Sequence, residues 1–278
     1  MKSKILPSLW FDANAHEAMK FYASVFPDSE VNAVTPVVVT ATLAGVPFVA
    51  INGGPVFTPN TSISFMVVCE SPDEIDVIWS KLSENGKVYM QLDAYPWSKY
   101  YGWISDRFGF SWQLYLGRLE DVNYQRIIPT LMFADSQQGN CEKAISYYQS
   151  TFKDFQLQGI QHYQDGAFKG QVLHAQFVLE GFLMAAMDSG VPQDFTFNEA
   201  ISFTIKCEGQ KEIDYYWEGL IKNGQESQCG WCKDPFGVSW QVVPHNIQEL
   251  LVSSHNAERA TQALFKMKKI NIHELENA

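Results

Sequence analysis

The chain contains the stretch GWISDRFGFSWQ at Gly102–Gln113 and a second version, GWCKDPFGVSWQ, at Gly230–Gln241. Eight of the twelve residues are identical, and the two stretches lie 128 positions apart. Each ends in an alternating Ser-Trp-Gln run, which is typical of a β-strand with one buried face. A Phe-Gly pair precedes each run, as expected of a turn in which glycine relieves a strained backbone. The motif either only closes a sheet or also places its glutamine in a binding site.

The likeness between the two halves extends beyond this motif. Ile63–Gly86 and Ile201–Gly224 are identical at twelve of 24 positions, at an offset of 138. A period of ~125 residues is the size of a domain and too long for a solenoid unit. The polar stretch Gly117–Arg126 is the expected linker between the copies. The predicted parts are a first domain at residues 1–118, a second at residues 127–245 and a C-terminal helical tail at residues 246–278.

Composition and charge limit the class of protein. The 278 residues carry a formal charge of −11, which argues against nucleic acid or an anionic membrane surface as a partner. No run of 18 apolar residues occurs, so we expect no membrane-spanning helix. The apolar start of the chain is interrupted by Pro7 and Asp12, unlike a secretory signal peptide. Five cysteines, an odd number, favour a reduced cytoplasmic protein over a disulfide scaffold.

Each repeat shows the same order of predicted elements twice. Ile5–Phe11 forms a strand, and a helix with apolar residues three to four positions apart follows it. Two β-rich runs then meet at Gly45, which is a hairpin signal, and SISFMVVC begins the next module. A second helix follows Ser71, its expected N-cap, and ends before Asn85-Gly86. The whole chain thus holds four βαβββ modules, which is an α+β organisation.

Paired βαβββ modules in a domain of this size resemble the vicinal-oxygen-chelate superfamily, which includes glyoxalase I, bleomycin-resistance proteins and extradiol dioxygenases. The chain resembles most its PhnB-like branch, often labelled 3-demethylubiquinone-9 3-methyltransferase. Four stretches carry this resemblance: WFDANAHEAMKFYASVF, AISFTIKCEGQKEIDYYWEGL, CGWCKDPFGVSWQVVP and ALFKMKKINIHEL. The resemblance implies tandem glyoxalase-like domains, each with two modules curling around a cavity. It also implies a pseudo-dimer within the chain, and a homodimer of whole chains is compatible with it.

Strand alternation selects residues for the implied cavity. Trp112 and Trp240 fall on the strand face toward the helices, and the two motif glutamines fall on the other face. Ser8 and Thr130 also fall on that other face, in the first strand of each repeat. The expected ligand-binding residues are Asn52, Ser64, Trp103, Gln113, Gln176, Ser202 and Trp231.

The candidate catalytic residues are His174, Asp188 and Gln241. His174 offers an imidazole on a strand aimed at the cavity, and Asp188 ends the following strand. Copy one has Val38 and Asn52 at the matching positions, so the second domain is expected to hold the more functional cavity. A structural role for His174 is the alternative, because a lone histidine is more often a satisfied core residue.

Metal-dependent relatives place His or Glu on the first and last strands of each module. Here the corresponding strands offer neither, and in the second copy they offer only Thr130, Asp188, Ser202 and Gln241. Such positions need imidazole or carboxylate to hold a cation, so we expect no metal and no other cofactor. The chain also lacks the G-x-G-x-G run typical of an S-adenosylmethionine site, so we interpret "methyltransferase" as an inherited label.

Two features lie outside this scheme. The CGWC stretch at Cys229–Cys232 has redox spacing, but it precedes a strand and does not open a helix, so we interpret it as coincidence. Copy one carries ten extra residues before its last strand. That insertion is either a lid over a flat ligand or a contact surface. Its aromatic residues are Tyr89, Tyr95, Trp97, Tyr100 and Tyr101.

The sequence therefore predicts a protein that binds a small organic molecule and leaves open whether it catalyses a reaction. One hypothesis is a metal-independent enzyme acting on a polar metabolite. A second is a non-catalytic sequestering protein, as bleomycin-resistance relatives are by resemblance. A third is an interaction scaffold with vestigial cavities.

Overall fold

The computed structural model of the chain describes residues 3–253 and 255–278. The six α-helices of this part are α1 Ala15–Val25, α2 Pro72–Leu82, α3 Cys141–Thr151, α4 Gln210–Ile221, α5 Ala257–Leu264 and α6 Ile272–Glu276. The strands of the first repeat are β1 Ile5–Phe11, β2 Glu30–Val34, β3 Val38–Leu43, β4 Val46–Asn52, β5 Ile63–Cys69, β6 Lys87–Tyr95, β7 Ser98–Ser105 and β8 Ser111–Leu116. Those of the second are β9 Ile127–Phe133, β10 Phe155–His162, β11 Val172–Leu179, β12 Phe182–Asp188, β13 Ile201–Cys207, β14 Gln225–Glu226, β15 Trp231–Lys233 and β16 Ser239–Pro244.

Four βαβββ modules follow one another along the chain, as the sequence predicts. Module I runs from β1 to β4, module II from β5 to β8, module III from β9 to β12 and module IV from β13 to β16. Their helices form where local signals favour them. In α2, the Ser71 side chain accepts a hydrogen bond from the Glu74 amide at 3.3 Å and Pro72 opens the helix. The predicted N-cap and the α+β class are therefore confirmed.

The strands form two eight-stranded sheets, and each sheet combines one module from each repeat. Sheet A has the order β14-β15-β16-β13-β1-β4-β3-β2, and sheet B has the order β10-β11-β12-β9-β5-β8-β7-β6. Sheet A joins modules I and IV through the antiparallel pair β1–β13, with Ser8 opposite Ser202. Sheet B joins modules II and III through β5–β9, with Ser64 opposite Thr130. Neither sheet is therefore built from one repeat alone.

The two modules of one repeat meet on the side of the sheets that carries the helices. The rings of Phe48 in β4 and Phe65 in β5 lie 5.5 Å apart, although their strands belong to different sheets. Trp112 is fully buried there, 5.2 Å from the Tyr22 ring of α1 and 5.0 Å from Phe26. Trp112 thus packs against a helix, as its position in the alternation predicts. The opposite, helix-free face of each sheet carries the alternating polar residues.

The segment between the repeats lies on the helix-free face of sheet B. Leu119–Val122 form one short 3-10 turn. Leu119 and the buried Val122 pack in an apolar cluster with residues from the helix-free side of sheet B. These partners are Met66, Val68, Tyr115, Ile128, Val178, Leu183 and Ala185. The linker is therefore also a packing element.

The C-terminal tail packs against module IV. The carbonyl groups of Met267 and Lys268 accept hydrogen bonds from the amides of Cys229 and Gly230, both at 2.7 Å. Ile270 is fully buried in the main core. No helix in residues 3–253 and 255–278 is long and apolar enough to span a membrane.

Candidate functional site

The repeated glutamines form the same contact on the helix-free face of each sheet. Gln113 Nε2 donates to Ser64 Oγ at 2.6 Å in sheet B, and Gln241 Nε2 donates to Ser202 Oγ at 2.9 Å in sheet A. In both cases the last strand of a module is bonded to the first strand of the same module, its neighbour in the sheet. The predicted glutamines and serines thus lie on the predicted face, and they are bonded to each other.

The aspartate of the repeated motif is a structural residue that the sequence analysis did not identify. Asp234 accepts hydrogen bonds from Tyr148 Oη at 2.8 Å, Trp240 Nε1 at 3.1 Å and the amides of Phe236 and Val238. Burial raises the pKa of this carboxyl to about 6, against the effect of these four donors. Tyr148 lies on α3, which packs on β10, β11 and β12 of sheet B, and Asp234 directly follows β15 of sheet A. The network therefore ties the sheets together.

Asp106 makes the same set of bonds in the first repeat. Its carboxylate accepts from Tyr22 Oη at 2.7 Å, Trp112 Nε1 at 2.7 Å and the amides of Phe108 and Phe110. The sequence did contain a signal for this role. The aspartate is identical in both copies of the motif, whereas the residues on either side of it differ. The recurring dozen residues therefore encode an inter-sheet tie as well as a strand.

Asn52 and Asp188 cap helices, a role that the sequence analysis did not predict. Asp188 accepts hydrogen bonds from the amides of Gly139, Cys141 and Val172, so it caps the start of α3. Asn52 Oδ1 accepts from the Ala15 amide at 2.9 Å, at the start of α1. Both side chains point to the strand face that carries the helices. Each residue ends its strand, and the residues two and four positions before it belong to the hydrophobic core.

The candidate catalytic set is not assembled in this structure. His174 lies on β11 in sheet B, Asp188 is turned toward α3 and Gln241 lies in sheet A. Asp188 therefore does not orient the imidazole of His174. Burial lowers the pKa of His174, and within the described part of the chain its ring makes no hydrogen bond. The three residues were grouped from their place in one repeat, but each sheet takes its strands from both repeats.

The helix-free face of sheet B is closed by its own side chains and by the linker. Trp103 Nε1 donates to Ser111 Oγ at 2.7 Å, and the Tyr101 hydroxyl donates to Gln113 Oε1 at 2.8 Å. Gln176 Nε2 donates to the Asp121 carbonyl of the linker at 2.9 Å. The residues Ser64, Trp103, Gln113 and Gln176, all expected to bind a ligand, thus contact one another or the linker. Thr130 Oγ1 is buried on this face and has no partner among the described residues.

The aromatic insertion forms the long hairpin of β6 and β7 at the edge of sheet B. The rings of Tyr95 and Trp97 stack at 5.1 Å, and Trp97 is 60% exposed. Tyr89 packs against Trp103 at 5.0 Å. The hairpin therefore supports the closed face of sheet B from its edge.

The helix-free face of sheet A has a polar floor and an aromatic wall. Ser8 Oγ and Thr204 Oγ1 share a hydrogen bond of 2.7 Å beside the Ser202–Gln241 pair. Trp10 lies edge-on to Trp231 at 5.9 Å and to Phe57 at 5.1 Å. Trp231 and Ser202, both predicted from the sequence, lie on this face together with Gln241.

A cleft of about 100 Å³ opens beside Trp231, between β14, β15 and β16. Ser239 lies in its wall; this serine is 1% exposed, and its Oγ has no hydrogen-bond partner within residues 3–253 and 255–278. Lys233 Nζ lies 2.8 Å from Glu199 Oε1 at the same place. The lining residues are Glu199, Gln225, Glu226, Ser227, Trp231, Cys232, Lys233 and Ser239.

The two sheets differ in the contacts of equivalent residues at this place. Ser239 and Trp231 in sheet A correspond to Ser111 and Trp103 in sheet B, at an offset of 128. In sheet B the indole N–H binds the serine hydroxyl. In sheet A the Trp231 ring contacts Trp10, and the serine hydroxyl has no such partner. The Ser111 hydroxyl thus has an internal partner, whereas the Ser239 hydroxyl is buried beside the cleft without one among the described residues.

The central strands do not fit the metal centre that the fold implies. The positions nearest the middle of sheet A are Ser8, Ser202, Thr204 and Gln241, which offer neutral oxygen and amide groups. No group of three or more His, Cys, Asp or Glu side chains suited to a metal ion occurs in the described part of the chain. Hydroxyl and amide groups that already bond each other are poor ligands for a divalent cation.

The two cysteines of CGWC lie in different environments. Cys232 is 1% exposed in the core, and Cys229 Sγ contacts the Leu264 carbonyl of the tail at 3.6 Å. Burial raises the pKa of both thiols above the usual value. Both therefore favour the protonated form, which is a poor nucleophile.

The sheets, their helices and these two faces define the class of tandem glyoxalase-like proteins. Glyoxalase I from Zea mays has a similar fold, with 13% identity over 90% of this chain and 95% of that chain and a TM-score of 0.57. A protein from Bacillus cereus described as a putative 3-demethylubiquinone-9 3-methyltransferase, PhnB protein, is 36% identical over 40% of this chain and 98% of that chain, with a TM-score of 0.39. No curated protein matches this chain.

The sequence model of the 3-demethylubiquinone-9 3-methyltransferase family matches the chain twice, at residues 3–115 and 125–243. The chain belongs to this family, as the resemblance of its motifs implies. Each match covers one repeat. Membership in this glyoxalase-fold, PhnB-like family supports a small-molecule-binding protein.

Proposed function

We propose that the chain binds a small organic molecule, without a metal, in the cleft beside Trp231 on sheet A. The unpartnered hydroxyl of Ser239 carries this proposal, because it is buried at the wall of the cleft. A buried polar group without a partner costs about 1–3 kcal/mol, and a ligand that bonds to it would recover that cost. The Trp10–Trp231–Phe57 wall supplies apolar contact for the rest of the molecule.

The proposed role is binding or sequestration, not turnover. The Ser239 hydroxyl is bonded to no general base among the described residues, since Lys233 is paired with Glu199 and His174 lies in the other sheet. The volume of about 100 Å³ is also well below the ~300 Å³ typical of sites that enclose drug-sized ligands. The cleft therefore suits a small molecule or one end of a larger one. The methyl transfer in the family name finds no support in these residues.

The test is a fragment screen by ¹H–¹⁵N NMR, followed by titration of the variants Ser239→Ala and Ser111→Ala. We expect fragments to shift the signals of residues 225–239, and Ser239→Ala to weaken their binding about tenfold, as loss of one buried hydrogen bond would. Ser111→Ala is the matched control at the closed site, and binding should be retained. Fragments that bind both variants equally, or that shift only signals of sheet B, would contradict the proposal.

A further inference from the structure

A histidine and two methionines lie side by side on the helix-free face of sheet B. Met187 in β12 is in register with Met132 in β9. Ala175 in β11 is in register with Ala186 in β12, so the residues next to this antiparallel pair, His174 and Met187, also lie opposite each other. Each of the three adjoins a main-core residue of its own strand, and by alternation it points away from the helices. The row therefore places one imidazole and two thioethers on neighbouring strands.

The three side chains are enclosed, but they do not belong to the apolar clusters of the fold. Met132 is 6% exposed, and it is part of neither the main core nor the cluster that packs against the linker. Met187 and His174 are half-buried, so the row can be reached from solvent. Burial lowers the pKa of His174, and its ring has no hydrogen-bond partner in the part of the chain that the structure describes. At neutral pH its imidazole is therefore uncharged and has a nitrogen lone pair to offer.

The equivalent row of sheet A carries no such donor atoms. Its residues are Val38, Ile51 and Trp10, at offsets of 136, 136 and 122 from the row in sheet B. They are in register in the same way, with Ile51 between the other two. Because this apolar row completes its sheet equally well, the fold does not require histidine or methionine at these positions. The donor atoms in sheet B thus need an explanation other than strand pairing.

We propose that His174, Met187 and Met132 bind one Cu(I) ion. Cu(I) is a soft cation that accepts thioether and imidazole ligands, whereas divalent cations such as Zn²⁺ need thiolate, carboxylate or several imidazoles. Neighbouring strands lie ~4.8 Å apart, and the three rotatable bonds of methionine let both sulfur atoms turn toward the imidazole. The site is separate from the metal centre that the fold implies, whose positions, such as Thr130 and Gln241, carry no imidazole or carboxylate. It is also independent of the cleft on sheet A.

The experiment titrates Cu(I), kept reduced in oxygen-free buffer, into the full-length protein with ¹³C-labelled methionine methyl groups. The methyl signals of Met132 and Met187, each assigned by its loss in the corresponding leucine variant, should shift together and saturate at one ion per chain. Competition with a chromogenic Cu(I) chelator measures the affinity. Zn²⁺ at the same concentrations should leave both signals unchanged, because neutral thioethers are poor ligands for it.

Two methionine variants separate the sulfur atom from the packing. Met187→Leu keeps the volume and the apolar character of the side chain but removes the thioether. It should weaken Cu(I) binding at least about tenfold, since losing even an outer partner of a metal ligand costs about that much. Met66→Leu is the matched control. Met66 lies on the same face of sheet B, but in the apolar cluster beside the linker, and its loss should leave the affinity unchanged.

The half-buried thiol of Cys229 is a competing soft ligand, so Cys229→Ser is the second control. The shifts of the two methyl signals should persist in this variant. Binding that disappears in Cys229→Ser, or that is equal in Met187→Leu and Met66→Leu, would overturn the proposal. His174→Gln should also weaken Cu(I) binding while fragments still bind the cleft. The Cu(I) proposal and the proposed function can therefore fail separately.

Discussion

Single hydroxyl groups distinguish the two helix-free faces. Ser8 and Thr130 occupy equivalent positions in the first strand of each repeat. Ser8 is bonded to Thr204, but the position equivalent to Thr204 in sheet B is Met66, so Thr130 Oγ1 has no partner among the described residues. The sequence predicted the face of both residues. It did not predict their partners, because those depend on which strands become neighbours.

Replacing Thr130 by Val tests whether its buried hydroxyl lowers the free energy of unfolding. The change removes an unpartnered buried group at similar volume, so the free energy of unfolding should stay equal or rise by about 1 kcal/mol. Ser8→Ala, the matched change, should lower it by about 1 kcal/mol because Thr204 loses its partner. Urea unfolding with an unchanged m-value measures both. A clear loss of stability in Thr130→Val would show that the hydroxyl is bonded in solution.

His174 should make stability depend on pH without affecting the cleft. Burial lowers its pKa, so the folded protein holds the neutral form more firmly than the unfolded chain does. The unfolded chain then binds more protons, and stability should fall as the pH drops through the imidazole's usual value of about 6.5. His174→Gln should flatten the melting temperature between pH 5 and 7 relative to wild type. Loss of ligand binding in this variant would instead assign His174 to the site.

At the scale of elements, the repeated motif at Gly102–Gln113 and Gly230–Gln241 connects the two sheets through hydrogen bonds. The helices α1 and α3 each send a tyrosine hydroxyl to the aspartate of the motif in the other sheet. The turn between the aspartate and the next strand supplies two backbone amides, and the tryptophan of that strand supplies its indole N–H. One short motif thus fixes a turn, a strand and a helix position together.

Asp234→Asn should weaken this connection. An amide has one acceptor oxygen, so with that oxygen toward the backbone amides its NH₂ group would face the two donors on Oδ2, Tyr148 Oη and Trp240 Nε1. The cost should be about 2 kcal/mol at neutral pH. Because burial raises the pKa of Asp234 to about 6, the folded state binds its proton more tightly than the unfolded chain. The wild type should therefore gain stability over the variant as the pH falls from 7 toward 4. Thermal unfolding across this range measures the difference. A difference that shrinks toward pH 4 would show that the carboxylate is stabilised in its ionised form.

At the scale of the whole molecule, the repeats are interlocked. Two strand pairs, β1–β13 and β5–β9, join the first repeat to the second. Without the partner repeat, β1 and β5 would each lose a neighbouring strand and present unpaired backbone groups. The chain is therefore a pseudo-dimer in which each half completes both sheets of the other.

A cut in the linker tests this interlocking. Residues 1–123 produced alone should form a homodimer, because module II of a second copy can take the place of module IV beside β1. Produced together with residues 124–278, they should instead form a one-to-one complex. Light scattering after gel filtration measures both masses. A folded monomer of residues 1–123 would show that the inter-repeat strand pairs are dispensable.

The sequence by itself determined the internal repeat, the four βαβββ modules and the burial of Trp112 and Trp240 on the strand face toward the helices. These follow from side-chain chemistry that each strand or helix carries alone: Trp112 is buried because of its alternation with Ser111 and Gln113. Only the tertiary structure decided that module I pairs with module IV and that Asp188 caps α3. It also decided that Ser111 has a hydrogen-bond partner, whereas Ser239 has none among the described residues. Strands pair through backbone hydrogen bonds, which are the same for every sequence. Since modules II and IV are alike in sequence, either could pair with module I, and only packing of the whole chain distinguishes them.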